Sequence, residues 1–281
     1  MKRQPDKYPP GQLPVTNDLT FTYALSLVIA ILMAAASAGS FVYRSLIYST
    51  KELLVSFAPN DAVNLVVGLP ILLGSMWLAR RGKLLGLLLW PGALFYVLYN
   101  YIAYLFGMPF SGLFLFYLTL VTLSAYTTIG LVTSIDGEAV RQRLNGTVPE
   151  KAAGGIIAGL ALLFTLRVIA VIATQDNQIP LSQVELSVLV ADFVTAPAVF
   201  IGGVLLWQRR KLGYVAGAGL LFLYSMLFIG LIFFLILQPV LTTSPINVTD
   251  IIVVFIMGMV CFIPFGLFVR GVVSSQNISP E

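Results

Sequence analysis

Eight apolar runs, each about 20 residues long, limit the architecture that this chain can adopt. They cover residues 21–43, 61–79, 84–106, 110–134, 155–175, 187–207, 212–238 and 246–269. A run of this length fits a helix that crosses a bilayer, where the backbone must satisfy its own hydrogen bonds. The composition agrees, because 58% of the residues are hydrophobic and only 10% are charged. The sequence therefore predicts an all-α integral membrane protein with eight transmembrane helices in a lipid bilayer.

Basic residues orient the predicted helices. The loops at 80–83 and 208–211 and the longer segment 136–154 all fall on the side that carries the N-terminus. Because Lys and Arg collect on the cytoplasmic side, we expect cytoplasmic termini in a cell (plasma) membrane. Residues 1–20 are polar and proline-rich without the apolar core of a cleaved signal, which predicts a disordered cytoplasmic tail. Residues 273–281 form a second predicted tail. The polar segment 44–61 is expected to be either an amphipathic surface helix or a loop.

A short internal repeat divides the chain into two halves. GSMWLARRGKLLG at 74–86 resembles GGVLLWQRRKLG at 202–213, and each copy ends the second span of a four-span set. A shift of 128 positions places Asn64 opposite Asp192, and a separate alignment places Arg44 opposite Arg167. We predict two parallel four-helix repeats, 21–135 and 155–272, joined by a cytoplasmic linker at 136–154. The alternative is chance, because the charge rule alone makes short basic loops alike.

Arg167 lies inside the fifth apolar run, where a cation is costly and normally finds a partner. Asp192 and Asp250 enter the membrane from the side nearest to Arg167 and at overlapping depths. We predict an Arg167–Asp192 or Arg167–Asp250 ion pair, or a triad, because one guanidinium can serve two carboxylates. The cluster is either a structural lock between helices or a ligand or coupling site, since one carboxylate would remain free to take a proton, a cation or an amine.

A face rich in aromatic and amide side chains lies in the first half. Tyr96 and Asn100 share one side of the third predicted helix, Tyr117 follows on the fourth, and Asn64 enters at similar depth. These residues are expected either to line an outward-facing polar pocket or to fill the interior. The outer half also carries Glu52, Asp61, Asp176 and Glu185, a negative bias that favours a small polar or cationic ligand.

Several function classes are disfavoured by missing residues. The chain has no histidine, one cysteine (Cys261), no phosphate-binding loop and no intramembrane protease motif, so we expect no catalytic residues, cofactor, metal site or nucleic-acid partner. The first hypothesis is a small-solute or ion carrier, with proton coupling as an option. The second is a non-catalytic subunit of a larger membrane complex or homo-oligomer. The third is a membrane enzyme or a lipid-binding protein.

Overall fold

The computed structural model describes residue 8 and residues 12–175 and 181–277, and its regular structure there is helical. The helices are α1 (Thr20–Val42), α2 (Arg44–Ile47), α3 (Lys51–Val63), α4 (Leu69–Arg80), α5 (Leu84–Gly107), α6 (Gly112–Ser134), α7 (Gly137–Leu144), α8 (Glu150–Thr174), α9 (Gln183–Trp207), α10 (Lys211–Leu241) and α11 (Val248–Asn277). A π-helical turn at Asn64–Gly68 joins α3 and α4 into one rod. Within these ranges eight rods are long and apolar enough to cross a membrane, which confirms the predicted number and indicates a multi-pass membrane protein.

Two of the helices are longer than the sequence predicts. The second span begins at Lys51 rather than at residue 61, and the Thr50 side chain caps it by accepting a hydrogen bond from the Leu53 amide at 3.2 Å. Residues 51–61 of the polar segment 44–61 are therefore helix and continue into the second span, so most of this segment is not a loop. At the other end of the chain α11 continues to Asn277, so most of the predicted tail 273–281 is helix.

The segment before α1 packs against the linker between the two halves. Val15 forms an isolated β-bridge with Ile135, and the Thr16 amide donates to the Ser134 carbonyl at 2.8 Å. Residues 12–20 of the predicted disordered tail 1–20 therefore have defined contacts, while residues 1–7 and 9–11 lie outside the described part of the chain. The linker itself contains α7, whose N-terminus is capped by the Asp136 side chain.

Helices α5 and α10 cross at the centre of the bundle, where two glycines meet. A Cβ atom added to Gly92 would lie 2.7 Å from the Cα atom of Gly219. A Cβ atom on Gly219 would lie 3.0 Å from the Gly92 amide nitrogen. Helices α8 and α9 also cross closely, since a Cβ atom on Gly203 would lie 2.9 Å from the Gly154 carbonyl oxygen. Small residues thus let both helix pairs pack backbone against backbone.

Candidate ligand-binding cavity

A cavity of about 480 Å³ lies between the two halves, toward the end of the bundle opposite the basic loops. Its wall combines α3 and α5 of the first half with α8, α9, α10 and α11 of the second half. Cavities that bind small molecules usually have volumes of roughly 300–1,000 Å³ and walls that are mostly apolar, with a few polar groups. This cavity fits that description, because most of its polar side chains lie on α3, α5, α8 and α9, while α10 and α11 contribute mainly Leu, Phe, Val and Met, with Tyr224 as the polar exception.

Asp192 is the carboxylate at the polar wall of the cavity. Its side chain is only 5% exposed, and its Oδ1 atom accepts a hydrogen bond from the Tyr99 hydroxyl at 2.8 Å. Arg167 reaches Oδ2 from α8, but the distance is 3.4 Å and the arginine side chain is 53% exposed. The carboxylate is therefore held firmly by a tyrosine and loosely by a cation that also faces the cavity.

The aromatic side chains of the cavity come mainly from α5, α8 and α10. A fourth helix, α3, adds Phe57 to this set. The seven aromatic residues of the lining are Phe57 from α3, Tyr96 and Tyr99 from α5, Phe164 from α8, and Tyr224, Phe228 and Phe234 from α10. The rings of Phe164 and Tyr224 stack with centroids 5.9 Å apart. Aromatic faces attract cations, so these rings and Asp192 favour a positive charge in the same space.

The structure separates the residues that the sequence grouped together. Asp250 does not join Arg167: it is exposed at the start of α11 and accepts a hydrogen bond from the Asn247 amide at 2.7 Å. Asn64 is fully buried in the π-helical turn, outside the cavity lining, and in the described chain neither polar atom of its side chain has a partner. Tyr117 also lies outside that lining. Asp176 lies outside the described residues.

Tyr96 and Asn100 do line the cavity, and they bring neighbours that the sequence interpretation left out. Tyr99, which precedes Asn100 on α5, also lines the cavity. Asn60 approaches from α3, and its side-chain amide nitrogen lies 3.5 Å from the Asn100 side-chain oxygen. The spacing of Tyr96, Tyr99, Asn100 and Ala103 is i, i+3, i+4, i+7, which defines one helical face. This spacing is visible in the sequence, so Tyr99 could have been found there.

A second buried carboxylate, Asp61, lies one helical turn from the cavity. It is 1% exposed and accepts hydrogen bonds from the hydroxyls of Tyr48 and Tyr104. The rings of Tyr101 and Tyr117 each lie 5.3 Å from the ring of Tyr104. Burial and the neighbouring Asp61 raise the pKa of Tyr48 far above its ordinary value, so this hydroxyl keeps its proton and donates. We call these five residues the Asp61 cluster.

A third buried carboxylate, Glu150, connects the start of α8 to the basic end of α10. It accepts hydrogen bonds from the Tyr214 hydroxyl at 2.9 Å and from the Gly146 amide at 2.8 Å, and Arg209 lies 3.8 Å away. Glu150 does not line the cavity. Its hydrogen bonds connect the loop before α8 to α10, so its contacts are those of a structural residue.

Comparison with known proteins finds no matching family model, no matching curated protein and no matching solved structure.

Proposed function

We propose that the chain is a membrane carrier for a small organic cation, with the cavity as its binding site and Asp192 as the residue that fixes the positive charge. The observation that carries this proposal is the uneven coordination of Asp192. Tyr99 holds one carboxylate oxygen at 2.8 Å, whereas the half-exposed Arg167 stands 3.4 Å from the other. A cationic ligand can take the place of Arg167 without breaking the Tyr99 hydrogen bond.

The chemistry of the walls narrows the ligand class. An ion with its full hydration shell gains little from a wall of Leu, Phe, Val and Met, whereas an organic cation buries its carbon atoms there. The seven aromatic side chains of the lining add cation–π attraction around the charge. We therefore expect a compact molecule with an apolar body and one ammonium group.

The position of the cavity between two halves suits a carrier that exposes its site alternately to the two sides of a membrane. The turns after α4 and α9 support the predicted repeat. Gly82 donates to the Ala79 carbonyl and Arg209 donates to the Leu206 carbonyl, both at 2.9 Å, and the donors have φ angles of 72° and 57°. These two donors are 127 positions apart, one fewer than the shift of 128 that the sequence alignment gives for the same loops. One extra residue in the π-helical turn would return the spacing to the predicted 128 at Asn64.

A plasma-membrane location with cytoplasmic termini completes the proposal. It rests on the basic loops at 80–83 and 208–211 and on α7, which all lie at the end of the bundle away from the cavity. In this orientation the cavity lies in the outer half of the membrane. The Leu, Ile and Phe side chains exposed around the bundle would then face lipid.

Thermal-shift measurements on the purified chain in mild detergent test the binding site. The probe is trimethylphenylammonium, and the matched control ligand is tert-butylbenzene, which has the same shape without the charge. A ligand that binds only the folded state raises the unfolding temperature. We expect stabilisation by the cation alone, in the native chain and in Asp250→Asn, and none in Asp192→Asn. Equal shifts in all three proteins, or no shift in any, contradict the proposed site.

A second candidate function, a subunit of a larger membrane complex, has support from the outward face of α6. Thr119, Thr122, Tyr126, Gly130 and Thr133 are all exposed on this helix, at spacings of three and four residues. Small and hydroxyl-bearing residues with this spacing are typical of contacts between transmembrane helices. Purification from the native membrane followed by mass spectrometry distinguishes the two: a stoichiometric partner that is lost in Gly130→Leu supports the subunit function.

A further inference from the structure

Asp61 is a buried carboxylate that forms no ion pair with any residue that the structure describes. Within the described ranges the ion pairs are Arg141–Glu138, Arg167–Asp192 and Arg209–Glu150, and none of them includes Asp61. An isolated charge in an apolar interior costs several kcal/mol, so such a group either finds a counter-charge or takes up a proton. Asp61 differs in this respect from Asp192, which has Arg167 at hand.

The side chains that contact Asp61 or surround its tyrosines are neutral. Helix α1 contributes the buried hydroxyls of Ser37 and Ser40, and the turn before α3 contributes Tyr48. Helices α5 and α6 contribute tyrosines 101, 104 and 117. These groups donate or accept hydrogen bonds but do not neutralise a carboxylate, which leaves a proton as the smallest available counter-charge.

The Asp61 cluster can form two different arrangements of hydrogen bonds. The Tyr104 hydroxyl lies 2.8 Å from Asp61 Oδ1 and 3.3 Å from the carbonyl oxygen of Phe57, so it has two acceptors within reach. The Tyr117 hydroxyl is buried and has no hydrogen-bond partner in the part of the chain that the structure describes. Its ring touches that of Tyr104, so an uncommitted polar group stands beside the network.

We propose that Asp61 is a proton-binding site that loads and releases one proton. In the loaded state the carboxyl O–H donates to the Tyr104 oxygen, and the Tyr104 hydroxyl turns toward the Phe57 carbonyl. On release the O–H bond of Asp61 breaks, the proton passes to water, and the carboxylate accepts hydrogen bonds from Tyr48 and Tyr104. No group other than water and the cluster takes part.

The location of the site suits coupling to the cavity. Phe57 and Asn60 line the cavity, and Asp61 follows them on the same helix within one turn. The Phe57 ring packs on Tyr104 with centroids 4.8 Å apart. A movement of Tyr104 when Asp61 gains or loses its proton would therefore shift a side chain of the cavity wall. The coupling rests on the carrier function proposed above, whereas the proton site itself does not.

Infrared spectroscopy of the full chain in lipid nanodiscs tests the site between about pH 5 and about pH 9, the range over which buried carboxyl groups titrate. We expect the C=O stretching band of a protonated carboxylic acid, with an intensity that falls as the pH rises. The band should be missing in Asp61→Asn and retained in Asp192→Asn. A band of constant intensity, no band at all, or a band that disappears with Asp192 would each overturn the proposal.

A second variant keeps the test decisive if Asp61→Asn does not fold. Tyr104→Phe removes one hydrogen bond from the carboxyl group, so the band should move to higher frequency. Tyr99→Phe is the matched control, because its hydroxyl contacts Asp192 and should leave the band in place. An unmoved band in Tyr104→Phe overturns the assignment. Because this readout uses neither ligand nor flux, its failure is distinguishable from failure of the carrier function.

Discussion

Gly92→Ala is a sensitive perturbation of the bundle, because it adds one methyl group at the crossing of α5 and α10. The new Cβ atom would lie 2.7 Å from both the Cα and the carbonyl carbon of Gly219. Non-bonded carbon atoms prefer separations of about 3.5–4.0 Å, so the two helices must separate by roughly 1 Å at their closest point. Backbone atoms cannot rotate away as a side chain would.

Over-packing of this kind costs about 1–3 kcal/mol. Alanine in place of glycine within a helix returns about 1 kcal/mol, so the net loss is up to about 2 kcal/mol. Gly130→Ala is the matched control, because it makes the same change in a spanning helix where nothing lies within 4 Å of the added atom. We expect Gly130→Ala to be neutral or stabilising.

Thermal unfolding of the purified variants in the same detergent measures the difference. A net loss of about 2 kcal/mol corresponds to a midpoint lower by about 4 °C in a chain of this size class. If Gly92→Ala unfolds at the temperature of Gly130→Ala or above it, α5 and α10 do not meet backbone against backbone, and the described centre of the bundle is wrong.

Two further predictions concern the buried carboxylates. Tyr99→Phe should lower thermal stability by about 1–3 kcal/mol, because Asp192 loses its shortest hydrogen bond. Arg167→Gln should cost less than about 1 kcal/mol, since that guanidinium is half exposed. The reverse ranking in thermal unfolding would show that the ion pair, and not the tyrosine, holds the carboxylate. Glu150→Ala should cost about 1–3 kcal/mol, because the buried Tyr214 hydroxyl loses an acceptor, and it should speed proteolysis of the 136–149 segment. An unchanged rate of proteolysis would show that Glu150 does not hold that segment in place.

The length of the apolar runs made the number of spanning helices predictable. It did not predict where α3 begins. Lys51, Glu52 and Asp61 make the first turns of this rod look too polar to span. Asp61 is accommodated by tyrosines from α5 and from the turn before α3, which are tertiary contacts that hydropathy does not contain. The sequence does contain the Thr50 cap, but a cap alone does not say which residues follow into the membrane.

Site residues that lie on one helix were easier to predict from the sequence than site residues that come from different helices. Tyr96 and Asn100 lie on one face of one helix, and both line the cavity. The choice between Asp192 and Asp250 as the partner of Arg167 depends on how far α11 stands from α8, which depth along the membrane does not fix. The repeat register sets Asn64 opposite Asp192, but a register does not say whether a side chain reaches a cavity, and Asn64 lies outside the lining.

The most direct test of the carrier function is uptake of radiolabelled trimethylphenylammonium into liposomes that contain the purified chain. This probe is permanently charged, so it does not cross protein-free bilayers at a comparable rate. We expect uptake that saturates with probe concentration in the native chain and in Asp250→Asn, and uptake at the protein-free level in Asp192→Asn. Uptake at the protein-free level in the native chain, or full uptake in Asp192→Asn, would contradict the account.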